Sequence, residues 1–282
     1  MKKTQKQVLR ADKVIQLKSV FEDKKWAEVS ATGNNEFDNF CTMLTYFDDA
    51  QQDLILDLTK DFLQISAMQY VPLFFNAYKM LLSSIEEKYN KILVQPLLAP
   101  KDFNKQKSST ALFYFVRTEA VALKREARNI EIKLIDNHEA LLREGVESTT
   151  LLCLIDDYLG TGETAENAID FLVQAGISAN NICVVSLVAQ NEACERLSKI
   201  NIPTYCSILR YKALSDNTKY SLDDKKIMVR IESKMGIKKK YQFGYGQSEG
   251  LIRLMRIPNN TFPVYWYPWS QTVPTVPFPR EG

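Results

Sequence analysis

Apolar positions recur along this chain in two rhythms, and the change between them near residue 90 divides it. Over residues 1–90 the spacing is helical. VLRADKVIQLKSVF sets Val8, Leu9, Val14, Ile15, Leu17, Val20 and Phe21 in the pattern of an amphipathic helix. ATGNNEFDN interrupts as a loop, with Gly33 and three asparagines as punctuation. The pattern resumes through NFCTMLTYFDDAQQDLILDLTKDFLQIS, where Leu54, Leu58 and Phe62 mark one face. It continues from Ala67 to Tyr89, with Pro72 tolerable near a helix start.

From residue 91 strand-like runs alternate with helical ones. KILVQPLLAP (91–100) predicts a short strand on Ile92, Leu93, Val94, Leu97 and Leu98, its end left open by Pro96. Ser108 or Ser109 suits the cap of a helix through ALFYFVRTEAVAL. NIEIKLIDN (129–137) alternates at Ile130, Ile132 and Leu134 as a strand does, and HEALLREGVEST makes a short helix. Leu151 to Ile155 run without a polar break, the signature of a strand buried on both faces. AENAIDFLVQAGI then returns to helical spacing at Ala165, Ala168, Ile169, Leu172 and Val173, and Gly176 stops it. NICVVSLVAQ (181–190), NEACERLSKI (191–200) and IPTYCSIL (202–209) repeat the strand–helix–strand order. Such alternation predicts an α/β fold with a mostly parallel sheet joined by crossovers. The expected organisation is a helical cap or oligomerisation region over 1–90 and an α/β domain over 91–282.

The C-terminal portion departs from this rhythm. A charged helical segment leads to YQFGYGQSEG, an apolar strand LIRLMRI, the turn PNNT and the aromatic run FPVYWYPW. FGYGQSE has the look of a glycine-rich phosphate loop but lacks a strand before it. Tyr265, Trp266, Tyr267 and Trp269 could stack a base or could pack as core.

Composition narrows the classes. Hydrophobic residues make up 45% of 282, enough for a substantial core. Lys and Arg number 36 against 34 Asp and Glu, so no direct nucleic-acid partner is indicated. Five cysteines (Cys41, Cys153, Cys183, Cys194, Cys206) lack CxxC or zinc spacing and are expected as reduced, mostly buried thiols. MKKTQKQVLRADKV has no signal core, and no run approaches the ~20 apolar residues of a membrane span. A soluble cytoplasmic protein with no membrane association is the expectation. His138, the one histidine, has no cluster around it that would mark a metal site or a base.

Candidate chemistry concentrates in LLCLIDDYLGTGET (151–164). Two carboxylates, Asp156 and Asp157, precede a turn with Gly160 and Gly162 and the hydroxyls of Thr161 and Thr164. Glycines admit close backbone approach, and a helix start favours phosphate. A carboxylate pair beside a phosphate site must face something that wants acceptors, and vicinal ribose hydroxyls or Mg²⁺ both do. The turn between a strand and a helix is also where open α/β sheets bind ligands.

That stretch resembles the phosphoribosyl-pyrophosphate (PRPP) motif of type I phosphoribosyltransferases: an apolar strand, two acids, two variable residues, a small residue, Thr-Gly, any residue, then Thr or Ser. Every position fits, Gly160 included. The resemblance implies a sheet of type I phosphoribosyltransferase type and PRPP or a nucleotide as ligand. Asp156 and Asp157 would be the catalytic pair, holding the ribose hydroxyls and a suspected Mg²⁺. Leu159, Gly160, Thr161, Gly162, Glu163 and Thr164 would wrap the 5-phosphate. In that family the loop after the first core strand contacts pyrophosphate, which makes Lys101, Lys105 and Lys107 candidates beside the plain alternative of a solvated loop. Arg117, Lys124, Arg125 and Arg128 could face phosphates or simply form an exposed helix face.

A narrower likeness spans nearly the whole chain. TYFDDAQQDLILDLTKDF, the PRPP motif and FGYGQSEGLIRLMRIPNNTFPVYW are together similar to phosphoribosyltransferase-like proteins of bacterial conflict systems, found in antiphage defence loci that include some with retron reverse transcriptases. This implies a defence component working with a partner protein; a homo-oligomer is a separate option. Gly244, Gly246, Gln247, Ser248, Asn259 and Asn260 would then line the site. Three activities stay open: a toxic effector acting at ribose C1, a catalytically inactive PRPP or nucleotide sensor that gates a partner, and a conventional biosynthetic or salvage phosphoribosyltransferase.

Overall fold

The structure, a computed structural model, describes residues 7–29, 33, 35–85, 88–103, 105, 107–268 and 276–280. Three helices, α1 (Ala11–Lys24), α2 (Glu36–Leu44) and α3 (Asp49–Lys60), lead to a two-residue strand β1 (Leu63–Gln64) and to α4 (Tyr70–Ser84). Next come β2 (Lys91–Pro96), α5 (Ser108–Thr118), α6 (Ala120–Ala127), β3 (Glu131–Leu134) and α7 (His138–Glu144). They are followed by β4 (Thr150–Leu159), α8 (Glu163–Gln174), β5 (Ile182–Gln190), α9 (Asn191–Lys199) and β6 (Thr204–Arg210). The chain closes with α10 (Leu222–Met235) and β7 (Ile252–Arg253).

The chain forms two compact units, residues 65–211 and residues 1–64 together with 212–282. The hydrophobic rhythm changes at residue 90, whereas the contacts divide at 64/65, because α4 packs against β5 and β6. Helical spacing reports which face of a helix is buried but not which unit buries it.

In the 65–211 unit five strands pair in the order β3-β2-β4-β5-β6, every pair parallel. This is the α/β architecture with a mostly parallel sheet that the alternation predicts. All nine residues of β5 are buried, as are all of β4 except Asp156. Burying each Val, Leu or Ile contributes about 1.5–3 kcal/mol, so these two strands, the richest in buried apolar residues, take the centre of the sheet. On one face Leu93, Leu152 and Leu154 pack with Ala165, Ala168, Ile169 and Leu172 of α8 and Ala193 and Leu197 of α9. Helices α4 and α5 pack on β4–β6 and carry Tyr70, Phe74, Tyr78, Leu112 and Val116 as buried residues. Lys107 rather than a serine takes the cap position of α5, its N–H donating to Thr110 Oγ1 at 3.1 Å. The predicted helix through ALFYFVRTEAVAL breaks at Glu119 into α5 and α6.

The other unit is built on an aromatic core that includes Phe21, Phe40, Phe47, Phe62, Tyr265, Trp266 and Phe278. β1 and β7 pair in parallel within it. The expected strand LIRLMRI shrinks to Ile252–Arg253, since Arg253 Nη1 binds the buried Glu36 Oε1 at 2.6 Å and Met255 turns outward. Among the described residues no helix is long and apolar enough to cross a membrane.

Candidate functional site

β4 continues four residues beyond its apolar run and takes Asp156 and Asp157 into its last part, so the turn proper is only Gly160 to Gly162. Side chains alternate along a strand. Leu152 and Leu154 belong to the core shared with α8, which puts Asp156 on that same face. Asp157 meets the opposite layer, where Tyr70 of α4 donates its hydroxyl to Oδ2 at 2.9 Å. The Asp157 backbone N–H donates to Asp156 Oδ1 at 2.9 Å, tying the two residues together. Asp157 is buried and Asp156 half-buried. Burial, followed by the charge and hydrogen bonding of Asp157, pushes the Asp156 carboxyl well above the usual range; Lys107 and the backbone bond oppose the rise. A hydroxyl donor or a cation beside the carboxyls would offset that burial, and these are the two kinds of partner expected from the sequence. Mg²⁺ commonly takes one or two carboxylates and completes its shell with substrate oxygens, and the half-buried Asp156 carboxylate is a donor of that kind.

The turn is strict about its glycine. Gly162 has φ +78°, a left-handed conformation that side chains disfavour, and it caps α8 without offering a side-chain acceptor. A Cβ there would stand 3.1 Å from Ala193 Cα and 3.1 Å from Arg196 Cδ on α9. Thr161 is buried with its Oγ1 3.5 Å from the Glu163 amide. Thr164 is exposed and Glu163 half-buried. A helix start leaves its first amides without intrahelical acceptors, so those of Thr164 and Ala165 can serve an anion, while that of Glu163 already faces Thr161 Oγ1. Glu166, one turn on, is engaged by Arg196 Nη1 at 2.8 Å.

The loop after β2 distributes its lysines unevenly. Lys105 and Lys107 reach the buried carboxylate of Asp102 at 3.1 and 3.2 Å, and Lys101 is exposed. Burial alone would raise Asp102, but hydrogen bonds from Lys105 and Lys107 outweigh it and the net shift is downward. Of the three lysines, Lys107 is the one whose charge acts on Asp156. His138 stacks on Phe103 of this loop at 5.6 Å and meets Phe171 of α8 at 4.7 Å. Burial lowers its pKa, consistent with a neutral ring that wedges loop against helix.

Tyr70 and Asp102 escape sequence reading. Their signal is tertiary: a phenol 87 positions from the carboxylate it meets, and an acid that looks like one more charge in a lysine-rich loop. Gln95 Oε1 and Ser109 Oγ are also buried without a hydrogen-bond partner among the described residues. In the sequence Gln95 shows only as a polar residue in an apolar run, and Ser109 only as a helix-cap candidate. Among the described residues no cluster of three or more His, Cys, Asp or Glu could hold a metal unaided.

The C-terminal motif residues lie in the other unit. Gly244 has φ +79°, and a Cβ on it would come within 2.0 Å of the Asn260 carbonyl oxygen. Backbone amides of Gly244, Tyr245, Gln247 and Glu249 donate to Tyr241, Asn259, Gly244 and Phe243 carbonyls. Ser248 Oγ and Asn260 Nδ2 add bonds to the Tyr245 carbonyl at 2.8 and 3.2 Å. This loop spends its donors on itself, which is not how a phosphate cradle is built. Gly246 and Gln247 are two of its left-handed residues. Tyr265 and Trp266 are buried and bonded, to Thr59 Oγ1 at 3.1 Å and to the Thr261 carbonyl at 2.7 Å, so they pack as core. Tyr267 packs at the edge of that core, and Trp269 lies outside the described residues.

The family model PRTase-CE matches residues 17–274. A uracil phosphoribosyltransferase of Synechococcus elongatus is 31% identical over 109 residues, 39% of this chain and 46% of that protein. The chain thus spans about half the length of the curated relatives it matches. Among solved structures, an orotate phosphoribosyltransferase of Mycobacterium tuberculosis in complex with PRPP is 11% identical, covering 70% of this chain and 96% of that one at a TM-score of 0.31. An APRTase of Giardia lamblia complexed with 9-deazaadenine is 12% identical, covering 48% and 77% at a TM-score of 0.32.

Proposed function

The chain belongs to the PRTase-CE family, a phosphoribosyltransferase-type family, and from that membership we propose that it binds PRPP or a nucleotide at the turn between β4 and α8. The observation that carries the proposal is the juxtaposition of the Asp156–Asp157 pair with a glycine-capped helix start six residues on. In it Asp156 and Asp157 accept hydrogen bonds from the ribose hydroxyls. The amides and hydroxyls from Leu159 through Gly160, Thr161, Gly162 and Glu163 to Thr164 surround the 5-phosphate. Lys101 and Lys105, joined by Lys107, neutralise the pyrophosphate of PRPP. Mg²⁺, held by Asp156 and Asp157, would neutralise the leaving pyrophosphate when bound.

The reaction is transfer or cleavage at ribose C1. The C1–oxygen bond to pyrophosphate (or the glycosidic bond of a nucleotide) breaks with its electron pair leaving on the departing group, and an incoming nucleophile or water bonds to C1. The sugar passes through an oxocarbenium-like charge, so fixed charges matter more than a strong base. The biological setting follows the narrower likeness: a cytoplasmic component of an antiphage defence system, acting as a toxic effector with a partner protein. A second reading, a sensor that binds the same ligand without turnover, is favoured by one observation. Lys105 and Lys107 are both engaged by Asp102 and would have to leave it to meet pyrophosphate.

Calorimetric titration with PRPP and Mg²⁺, run beside an assay for released pyrophosphate, tests both readings. Binding with pyrophosphate release supports the effector, and binding without release supports the sensor. Asp156→Asn with Asp157→Asn is expected to weaken binding at least about a hundredfold, by loss of two charge-assisted acceptors. Equal binding by wild type and the double variant would show the assigned roles to be wrong.

A further inference from the structure

Asp157 is buried, and among the described residues no lysine or arginine forms an ion pair with it. A carboxylate taken out of water needs donors, and α4 supplies one to its side chain, the phenol of Tyr70 at 2.9 Å from Oδ2. Tyr70 is itself fully buried. It is the first residue of α4, directly after a Ser66–Gln69 capping box in which the Ser66 amide donates to Gln69 Oε1 at 2.9 Å. Its ring lies 5.7 Å from that of Phe115 on α5. The Ser207 hydroxyl on β6 also donates to the Leu73 carbonyl, holding the first turn of α4 to the sheet. The phenol oxygen is therefore placed by a helix start tied to the sheet and by one packed ring.

From this arrangement we infer that Tyr70 is the positioning residue of the ribose subsite: its hydroxyl holds Asp157 by Oδ2 so that the remaining acceptor positions of the pair meet the sugar diol. The inference rests on the ribose-phosphate reading above and goes beyond it by assigning a function to α4, where sequence patterning shows no chemistry. A carboxylate offers about four acceptor sites, so one bond to Tyr70 leaves Asp157 able to take a hydroxyl. The effect extends to Asp156, since the Asp157 N–H donates to Asp156 Oδ1. Tyr70 thereby sets the orientation of both carboxylates. Its hydroxyl acts on the carboxylate pair, so its influence is expected on recognition of the sugar and not of the anion.

That division provides the test. Wild type, Tyr70→Phe, Asp157→Asn and the double variant are titrated by calorimetry with ribose 5-phosphate and, separately, with inorganic phosphate. The ligand-free melting midpoint of each is recorded. Tyr70→Phe keeps the ring and is expected to bind ribose 5-phosphate about tenfold more weakly, the usual effect of removing one hydrogen bond to a charged group. Its affinity for inorganic phosphate stays unchanged, and in the Asp157→Asn background it causes no further loss. Equal affinity of wild type and Tyr70→Phe for ribose 5-phosphate overturns the role of Tyr70 alone. So does a loss that is the same for both ligands, adds to that of Asp157→Asn and follows a fall in melting midpoint, because a general packing defect would do the same. Wild type that binds neither ligand overturns the ribose-phosphate reading itself, and this inference with it.

Discussion

The two units each contain a turn marked by glycine, and they use it in opposite ways. In the 65–211 unit the turn from Gly160 to Gly162 follows a buried strand and opens a helix, leaving the first amides of α8 available. In the other unit the segment from Phe243 to Glu249 holds five residues at positive φ, three of them not glycine. Its amides donate to its own carbonyls and to those of Tyr241 and Asn259. Two buried carboxylates stabilise the strain: Glu232 accepts from the Phe243 amide at 2.8 Å, and Glu249 accepts from the Leu214 and Ser215 amides at 2.8 and 2.7 Å. Glycine spacing alone does not separate an anion cradle from a self-closed turn. The strand before and the helix after decide it.

Gly244→Ala breaks the self-closed turn most sharply. The new Cβ would meet the Asn260 backbone within 2.0 Å in a left-handed conformation, and a loss of about 3 kcal/mol or more is expected from strain and overpacking together. Chemical denaturation measures it, and a loss below about 1 kcal/mol, the size of an ordinary surface change, would show that the turn yields.

Glu232 sharpens the comparison through pH. Burial first, and then the nearby charge of Glu249, push its carboxyl up from 4.5 to about 7, against the Phe243 amide bond that lowers it. The folded state then holds a proton that the unfolded chain releases, so stability present below pH 4.5 is lost as pH rises through 7. Glu232→Gln keeps an acceptor for the Phe243 amide without the charge. It should exceed wild type by up to about 3 kcal/mol at pH 8 and match it at pH 4.5. Parallel pH–stability curves for the two proteins would contradict the assignment.

At the open turn, Gly162→Ala is expected to cost about 2 kcal/mol through its left-handed backbone and contact with Ala193 and to remove phosphate binding, as read by melting and titration. An unchanged affinity would mean that the α8 start is not the anion site.

The central strands were legible because burial on both faces demands a long apolar run: 151–155 is unbroken, and 182–189 is interrupted only by Ser186. Helix α8 was legible for a related reason, since Gly162 and Gly176 bracket its apolar stripe. Legibility failed where a neighbour distant in sequence decides the outcome. Nothing local says that Tyr70 faces Asp157, that Asp102 claims Lys105 and Lys107, or that α4 packs on β5 and β6. LIRLMRI carries the composition of a strand, yet it yields only two paired residues because its partner β1 is itself that short.

A structure determined with ribose 5-phosphate and Mg²⁺ tests the central claim most directly. The account predicts the phosphate within hydrogen-bonding distance of the amides between Gly160 and Thr164, and the sugar hydroxyls against Asp156 and Asp157. A ligand bound elsewhere, with the Asp156–Asp157 pair and the α8 start untouched, would contradict it.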